Sequence, residues 1–132
     1  MEFKIDHIGY LTESISESMA VMESLGYEWE GQVFDDDIQE CKICFLQKMG
    51  EARIELVEPY EENKTMQKML KKRGNGPYHT CYIVDEIDKV FAEMKTDGWY
   101  AMFEPVEAVA FGNKKISYLF KDEVGYVEIV EK

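Results

Sequence analysis

The sequence predicts an α+β fold: two tandem βαβββ modules that pair into an open, mixed, eight-stranded barrel-like sheet with the helices outside. The first observation is an internal repeat, because His7 and His79 lie 72 residues apart. The second is that each half combines β-rich runs with one run of helical periodicity. A four-stranded sheet with a helix on one face leaves its other face to the second module, which creates a cleft. The repeat also shows in Tyr10 and Tyr82, Ile15 and Ile87, Met22 and Met94, Gly26 and Gly98, and, with a one-residue slip, in Ile54–Glu58 and Val127–Glu131.

Module one covers residues 1–58 and opens with a β-rich run, Phe3–Leu11, that predicts a strand. Ser14 followed by Glu17 forms a capping-box pattern, and the helix that starts there is expected to end at Gly26. Its apolar face is predicted to contain Ile15, Met19, Met22 and Leu25. The other strands are predicted at 27–34, 39–47 and 52–58, joined by an acidic turn at 35–37 and a hairpin turn at 48–51.

A linker at 59–76 precedes module two, which covers residues 77–132. The linker contains a short helix that Asn63 can cap and Gly74 can end, with Met66, Met69 and Leu70 on one face. In module two Asp85 can cap a helix that closes at Gly98 and turns Ile87, Val90, Phe91 and Met94 inward. Its strands are predicted at 77–84, 99–105, 114–120 and 126–130, with a loop at 106–113. The whole chain of 132 residues is expected to form a single domain, 1–132.

Composition limits the partners and the compartment. Fifteen basic residues against 27 acidic ones give a net charge of −12, which excludes nucleic acid as a partner and disfavours anionic membranes. The sequence shows neither a signal peptide nor an apolar run of membrane-spanning length. Three cysteines predict reduced thiols and a cytoplasmic location. Cys41 and Cys44 are interpreted as strand residues, and a homodimer is compatible with an exposed sheet edge.

Four residues at equivalent positions of the repeat suggest a metal site. The chain has only two histidines, and each lies in the first strand of its module. Side chains alternate across a strand, so Glu55 and Glu128 face the cleft if their apolar neighbours face the helices. Singly, such a histidine is more often a core residue and such a glutamate a solvated one. Together they suit zinc, nickel, cobalt, manganese or iron(II). The predicted ligands of this divalent metal ion are His7, Glu55, His79 and Glu128.

Four motifs follow one another along the chain: Asp6-His7-Ile8-Gly9-Tyr10, Ile54-Glu55-Leu56-Val57-Glu58-Pro59, Tyr78–Val84 with Asp85-Glu86-Ile87-Asp88, and Gly125-Tyr126-Val127-Glu128-Ile129. At these motifs the chain resembles the vicinal oxygen chelate superfamily, which includes glyoxalase I, methylmalonyl-CoA epimerase, extradiol dioxygenases and bleomycin-resistance proteins. The resemblance spans the chain and is closest to the epimerases. It implies the same four metal ligands, and a proton removed from and returned to the carbon beside a thioester carbonyl while the metal chelates the enolate.

The chain departs from the epimerase pattern at three places. Glu55 stands where epimerases usually have Gln, Lys121-Asp122 replaces a His-Pro dipeptide, and the third strand has no matching carboxylate. A His-Glu-His-Glu set is instead the pattern of bacterial glyoxalase I, whose ending the segment Asp122–Glu128 resembles. A glyoxalase I-like lactoylglutathione lyase is therefore an alternative, although only Arg53 and Arg73 are present to hold glutathione carboxylates.

The expected activity is that of a metal-dependent epimerase, isomerase or lyase acting on a small molecule, an acyl-CoA or a thiol adduct. Glu55 and Glu128 are the candidate catalytic acid and base, one for each face of the carbanion. A non-catalytic protein that binds a cationic antibiotic is a further alternative because of the charge of −12. An iron oxygenase is less consistent with the second carboxylate. Lysines that could hold CoA phosphates are Lys64, Lys71, Lys72, Lys114 and Lys115.

Overall fold

The computed structural model describes residues 2–132, and these residues form three α-helices and nine β-strands. The predicted α+β class with a mixed sheet is confirmed. Within 2–132, no helix has the length and apolar character needed to cross a membrane. The elements in chain order are β1 (Lys4–Leu11), α1 (Ile15–Ser24), β2 (Glu28–Asp36), β3 (Cys41–Gln47), β4 (Arg53–Pro59), α2 (Lys64–Arg73), β5 (Gly76–Val84), α3 (Ile87–Thr96), β6 (Tyr100–Ala101), β7 (Val106–Ala108), a 3-10 turn at Val109–Phe111, β8 (Lys114–Lys121) and β9 (Gly125–Glu131).

The chain divides into two compact units, and the division falls inside β1. The amino-terminal unit is Ile8–Tyr78, and the carboxy-terminal unit combines the chain up to His7 with His79–Lys132. His7 and Ile8 are consecutive residues of one strand, yet they belong to different units. The first histidine of the repeat is therefore part of the same unit as the second.

The amino-terminal unit has the strand order β2-β3-β4-β1, with β3 antiparallel to both of its neighbours. Helix α1 covers one face of this sheet, where Ile54 and Leu56 pack in a core cluster with Ile15. These two β4 residues therefore face the helix, as predicted, and Glu55 between them faces the opposite side. Leu25, predicted to face inward, is instead 58% exposed because it lies beyond the last turn of α1 as its C-cap residue.

Both ends of α1 are fixed by side chains. At its start the Ser14 hydroxyl accepts a hydrogen bond from the Glu17 N–H, which is the capping interaction that the sequence predicts. At its end Lys48, from the turn after β3, donates to the Leu25 carbonyl at 2.9 Å and lies 5.4 Å from the ring centre of Tyr27. Gly26 has a φ of +96°, the left-handed conformation expected after a helix.

The carboxy-terminal unit has the strand order β5-β9-β8-β6, with β7 paired to β8. Strands β5 and β9 are parallel, whereas β8 and β9 are antiparallel. Helix α3 turns its predicted apolar face to this sheet, where Leu119 and Ile129 complete the core cluster and Val127 packs against it. Glu128 therefore faces away from the helix, as Glu55 does in its own unit.

The end of α3 repeats the arrangement found at the end of α1. Lys121 donates to the Asp97 carbonyl at 2.8 Å and lies 5.6 Å from the ring centre of Trp99. Gly98 has a φ of +94°. Each module thus has a lysine that caps the end of its helix and an aromatic ring next to that lysine. This correspondence was not among the repeat positions identified from the sequence.

Four predictions of local structure were wrong. The strand predicted at 99–105 is only Tyr100–Ala101, which pairs with Phe120 and Leu119 of β8. The loop predicted at 106–113 contains β7 and the 3-10 turn, so the described part of the chain has nine strands rather than eight.

The predicted cap Asp85 lies 3.8 Å from Lys132, and Glu86 is the N-cap residue of α3. The acidic turn predicted at 35–37 begins later, because β2 continues through Asp36.

Candidate metal centre

The carboxy-terminal unit brings together three of the four predicted metal ligands. His7 lies on β1, His79 on β5 and Glu128 on β9. The Nε2 atom of His7 is 3.1 Å from the Nε2 atom of His79, and each Nε2 is 3.1 Å from Oε1 of Glu128. The exposed fractions of His7, His79 and Glu128 are 0%, 4% and 1%. Two imidazole nitrogens and one carboxylate oxygen thus form a buried triangle with equal edges.

Strand pairing explains how these side chains meet. In the parallel pair, Cys81 of β5 is in register with Glu128 of β9, and His79 is in register with Tyr126. Ile129, the next residue of β9, packs under α3, so alternation turns Glu128 to the opposite face of the sheet. The alternation of side chains along β9 therefore explains both the position of Glu128 in the triangle and the contact of Ile129 with α3.

The donor triangle fits a divalent ion. Ligands about 2.1 Å from such an ion are about 3.0 Å apart when adjacent in an octahedral shell and about 3.4 Å apart in a tetrahedral one. The observed edges of 3.1 Å lie between these values and closer to the octahedral one. Two imidazoles with a carboxylate are also ligands that borderline metals such as zinc, cobalt and nickel accept. The cluster is therefore a His/Glu site able to hold a metal ion.

Asp6 contacts the outer nitrogen of His7. The Nδ1–H of His7 donates to Oδ2 of Asp6 at 2.8 Å, because an ionised carboxylate only accepts. In the neutral ring the Nε2 atom then has a lone pair, which faces the negative Oε1 of Glu128 at 3.1 Å. The lone pair of His7 and the carboxylate oxygen of Glu128 thus converge, as the donor atoms of a metal site do. Strand alternation predicts that Asp6 and His7 lie on opposite faces of β1. The Asp6 carboxylate nevertheless reaches the His7 ring.

Two aromatic rings surround the histidines. Phe111 stacks on His7 with ring centres 5.7 Å apart and planes 18° apart, and Tyr118 meets His79 edge-on at 5.0 Å. Sequence reasoning missed both of these residues. Phe111 lies in the 106–113 segment, which has no readable motif. Tyr118 could have been found from the repeat, because it pairs with Glu128 on the neighbouring strand as Phe45 pairs with Glu55.

Glu55, the fourth predicted ligand, lies on β4 in the amino-terminal unit and is 1% exposed. Near it, Arg53 forms two hydrogen bonds with Glu30, at 2.8 and 2.9 Å, and lies 3.9 Å from the ring centre of Phe45. Burial, followed by the negative charges of Glu55 and Glu30, raises the pKa of the Cys44 thiol to about 12. The unit thus holds a buried carboxylate beside a neutral thiol, and the role of Glu55 as a ligand stays a prediction.

The remaining residues singled out from the sequence have simpler surroundings. Cys81 is fully buried and packs with Ala108, Ile116 and Val130, which is the ordinary role of a small apolar side chain. The ring of Tyr126 contacts that of Phe120 at 5.0 Å. Of the lysines proposed for phosphate contacts, Lys64, Lys71 and Lys72 lie on α2, while Lys114 and Lys115 begin β8.

Comparison with known proteins places the chain in a family. A model of the glyoxalase/bleomycin resistance protein/dioxygenase superfamily matches residues 6–118. The hypothetical protein BH1468 from Bacillus halodurans C-125 shares 31% identity and a TM-score of 0.85, covering 100% of this chain and 96% of its own. The uncharacterized protein YqjC of Bacillus subtilis (strain 168) is 23% identical over 125 residues, covering 94% of this chain and 87% of that relative.

The names of several structural neighbours state an activity. A variant of methylmalonyl-CoA epimerase from Streptomyces coelicolor, in complex with 2-nitronate-propionyl-CoA, has a TM-score of 0.85 at 19% identity and covers 98% of this chain and 96% of its own. At that identity the likeness shows a shared fold alone. The family model, which covers most of the sequence, together with the resemblance at the four motifs, shows that this chain belongs to the glyoxalase/bleomycin resistance protein/dioxygenase superfamily, also called the vicinal oxygen chelate superfamily.

Proposed function

We propose that the protein is a divalent-metal-dependent epimerase, isomerase or lyase that removes a proton from the carbon beside a substrate carbonyl. The observation that carries this proposal is the buried triangle of imidazole and carboxylate donors with 3.1 Å edges. The superfamily includes enzymes of this type, and a methylmalonyl-CoA epimerase shares the fold. The proposed metal ligands are His7, Glu55, His79 and Glu128.

The chemistry of such a site follows from its residues. A bound divalent ion supplies Lewis acidity, which stabilises negative charge that develops on the carbonyl oxygen when the neighbouring carbon loses its proton. His7 and His79 contribute neutral nitrogen donors, and Glu128 contributes charge. Burial of all three side chains limits the access of water, so the electrostatic interactions in the site are less screened.

Glu55 and Glu128 are the proposed acid–base pair. One carboxylate takes the proton as the C–H electrons move toward the carbonyl, and the other returns a proton to the opposite face of the carbon. Their positions support this assignment, because both are 1% exposed and both lie on the face of their strand that points away from the helix. Return of the proton to the same carbon gives an epimerase, and return to the neighbouring carbon gives an isomerase or lyase.

The proposed substrate class is an acyl-CoA thioester. The structural neighbour from Streptomyces coelicolor is an epimerase that binds a CoA derivative. Lysines 64, 71 and 72 on α2 are exposed and could meet the phosphates of such a ligand. These lysines favour an acyl-CoA over a glutathione adduct as the substrate. The small number of arginines favours the acyl-CoA as well.

A glyoxalase I-like lyase is the second candidate, and one observation favours it: Glu55 stands where epimerases of the superfamily usually have Gln. The arginines favour the first candidate. Arg53 is held by Glu30 through two hydrogen bonds, and Arg73 is 3.4 Å from the Pro77 carbonyl. These are the only arginines of the chain, so guanidinium groups to bind glutathione carboxylates are scarce.

The first test measures metal content. Protein purified without added metal is analysed for transition metals as wild type, His79→Ala and Glu128→Gln, with Glu123→Gln as the matched control because it removes the same charge from an exposed turn. We expect near-stoichiometric metal in the wild type and the control, and less in the two site variants. Wild-type protein that lacks metal and takes none up on soaking would contradict the proposal and favour a non-catalytic binding role.

The second test measures proton exchange. Metal-loaded protein is incubated in D2O with methylmalonyl-CoA or with the glutathione–methylglyoxal hemithioacetal, and deuterium incorporation and product are followed. Exchange into the thioester supports the epimerase, whereas conversion of the hemithioacetal supports the lyase. Loss of either reaction on treatment with a chelator ties it to the metal. Loaded wild-type protein that exchanges neither substrate faster than the chelated protein would contradict the acyl-CoA and glyoxalase assignments together.

A further inference from the structure

The two histidines of the triangle follow different residues. His7 follows Asp6, and His79, at the equivalent position of the repeat, follows Tyr78. The Asp6 carboxylate accepts a hydrogen bond of 2.8 Å from Nδ1 of His7, and its side chain is 17% exposed. His7 is therefore preceded by a residue with a carboxylate, whereas His79 is preceded by a residue with a phenol.

The contact with Asp6 decides which nitrogen of His7 holds the proton. A neutral imidazole has one N–H and one lone pair, and only the nitrogen with the lone pair binds a metal. Because the carboxylate accepts from Nδ1, the lone pair is left on Nε2. That atom is the one in the triangle, 3.1 Å from both Glu128 Oε1 and His79 Nε2. Asp6 therefore prepares the tautomer that a metal requires.

A second contact fixes the plane of the same ring. Phe111 stacks on His7 with an angle of 18° between the two planes and 5.7 Å between the ring centres. The hydrogen bond restrains rotation within the plane of the imidazole, and the stacking restrains tilting out of it. His7 is thus oriented in both directions before any ligand binds. Orientation of a ligand by outer residues of this kind commonly changes metal affinity.

We propose that Asp6 is a positioning residue that holds His7 in the metal-binding tautomer and orientation. This inference rests on the proposed metal centre, because it concerns how one of its ligands is prepared. The role is specific to the first histidine, since the residue before His79 has no carboxylate. Loss of the Asp6 side chain should therefore weaken metal binding, whereas a change at Tyr78 should not.

The test compares Co²⁺ binding to four proteins: wild type, Asp6→Ala, Asp6→Asn and Tyr78→Phe. Removing an outer-shell partner typically costs about 10- to 100-fold in metal affinity, which is the loss expected for Asp6→Ala. Asn can donate from its side-chain NH2 to Nδ1, which favours the tautomer with the proton on Nε2, so Asp6→Asn should also lose affinity. Tyr78→Phe is the matched control at the equivalent position and should bind as the wild type does. Urea unfolding of the metal-free proteins shows whether any variant has lost its fold.

A second readout reports the tautomer without metal. Long-range ¹H–¹⁵N spectra of the metal-free protein show directly which nitrogen of His7 is protonated. We expect Nδ1–H in the wild type, and a larger share of the Nε2–H tautomer in Asp6→Ala and Asp6→Asn. His7 protonated on Nε2 in the wild type would overturn the inference, because Asp6 would then not set the tautomer.

The outcomes separate this inference from the proposed function. Tight Co²⁺ binding by the wild type with an affinity within about twofold in Asp6→Ala would overturn the role of Asp6 and leave the metal centre standing. Wild-type protein that binds no Co²⁺ would contradict the metal centre and the role of Asp6 with it. A loss in Asp6→Ala and Asp6→Asn that is absent in Tyr78→Phe supports both.

Discussion

In module one Lys48 ends helix α1 on the carbonyl of Leu25, and in module two Lys121 ends helix α3 on the carbonyl of Asp97, at 2.9 and 2.8 Å. The residues before the two histidines, by contrast, have nothing in common, because one is Asp6 and the other Tyr78. The repeat has kept the interactions that hold each helix and has changed those that surround each histidine. Within one chain, the contacts that end the two helices therefore match, whereas the residues that precede the two histidines do not.

The strands that carry the two glutamates show the same contrast. Glu55 pairs across its sheet with Phe45, and Glu128 pairs with Tyr118. Two residues earlier, module one has Arg53 and module two has Tyr126. A buried glutamate is retained in both modules, although its neighbours differ in charge and polarity. Equivalent variants in the two modules therefore make natural pairs, each testing whether the equivalence extends from structure to function.

The largest effect is expected for Glu55→Gln and Glu128→Gln. Glutamine is a neutral and weaker metal ligand than glutamate and cannot take up the substrate proton, so each variant, even when loaded with metal, should lose about 10²- to 10⁴-fold in deuterium exchange. The exchange rate is measured with metal-loaded protein, and Glu123→Gln serves as the exposed control. Full activity in one variant and none in the other would assign the base to a single module. It would show that the two glutamates are not functionally equivalent.

Core truncations under the two helices should come next. Leu56→Ala and Ile129→Ala remove fully buried side chains at equivalent positions, and each should lower the free energy of unfolding by about 2–5 kcal/mol. Urea denaturation measures the loss, and Leu25→Ala, at a position 58% exposed, is the control expected to stay within about 0.5 kcal/mol. A two-step transition in either variant would show that one unit unfolds before the other.

The helix-ending lysines should have smaller and similar effects. Lys48→Met and Lys121→Met remove a charged hydrogen bond to a helix end while keeping the length of the side chain, and each should cost about 1 kcal/mol of stability. Thermal and urea unfolding measure the change, with Lys68→Met on exposed helix α2 as the control. Clearly unequal losses would show that the caps, despite their matching geometry, differ in strength between the modules.

The smallest effect concerns alkaline stability in module one. The pKa of Cys44 is raised from 9.0 to about 12, so the folded protein keeps the thiol protonated at pH values where the unfolded chain ionises it. This contribution is fully present below pH 9 and is lost as the pH rises from 9 toward 12. The loss is roughly 0.5 kcal/mol near pH 9. Cys44→Ser, which installs the residue type of the equivalent Ser117, should flatten the fall in unfolding free energy between pH 8 and pH 10. An unchanged slope in this variant would contradict the pKa shift as its cause.

Features with a short sequence period were predictable. The faces of α1, α3, β4 and β9 follow from helical and strand spacing, and these faces place Glu55 and Glu128 away from the helices. Both histidines were found because the repeat marked them. The end of β6 at Ala101 was missed, since the apolar residues that follow it resembled a longer strand. The wrong cap at Asp85 reflects a difference of one residue in where the helix begins.

Contacts that depend on loops or on side-chain bending were beyond the sequence. Phe111 reaches His7 from a segment with no periodicity. Asp6 and His7 are consecutive strand residues, which alternation assigns to opposite faces, and only the bend of the Asp6 side chain brings the two together. Lys48 reaches the end of α1 from the turn that follows β3. Each contact joins residues whose proximity no local pattern encodes.

The division of β1 between the two units has a consequence for synthesis on the ribosome. Ile8–Tyr78 emerges as a continuous segment and can begin to fold by itself, whereas the few residues up to His7 must wait for His79–Lys132. The contacts of His7 with His79 and Glu128 span most of the chain, and contacts of such long range form slowly. A nascent chain would therefore have its first helix in place well before the proposed metal site could form, because that site needs His79 and Glu128.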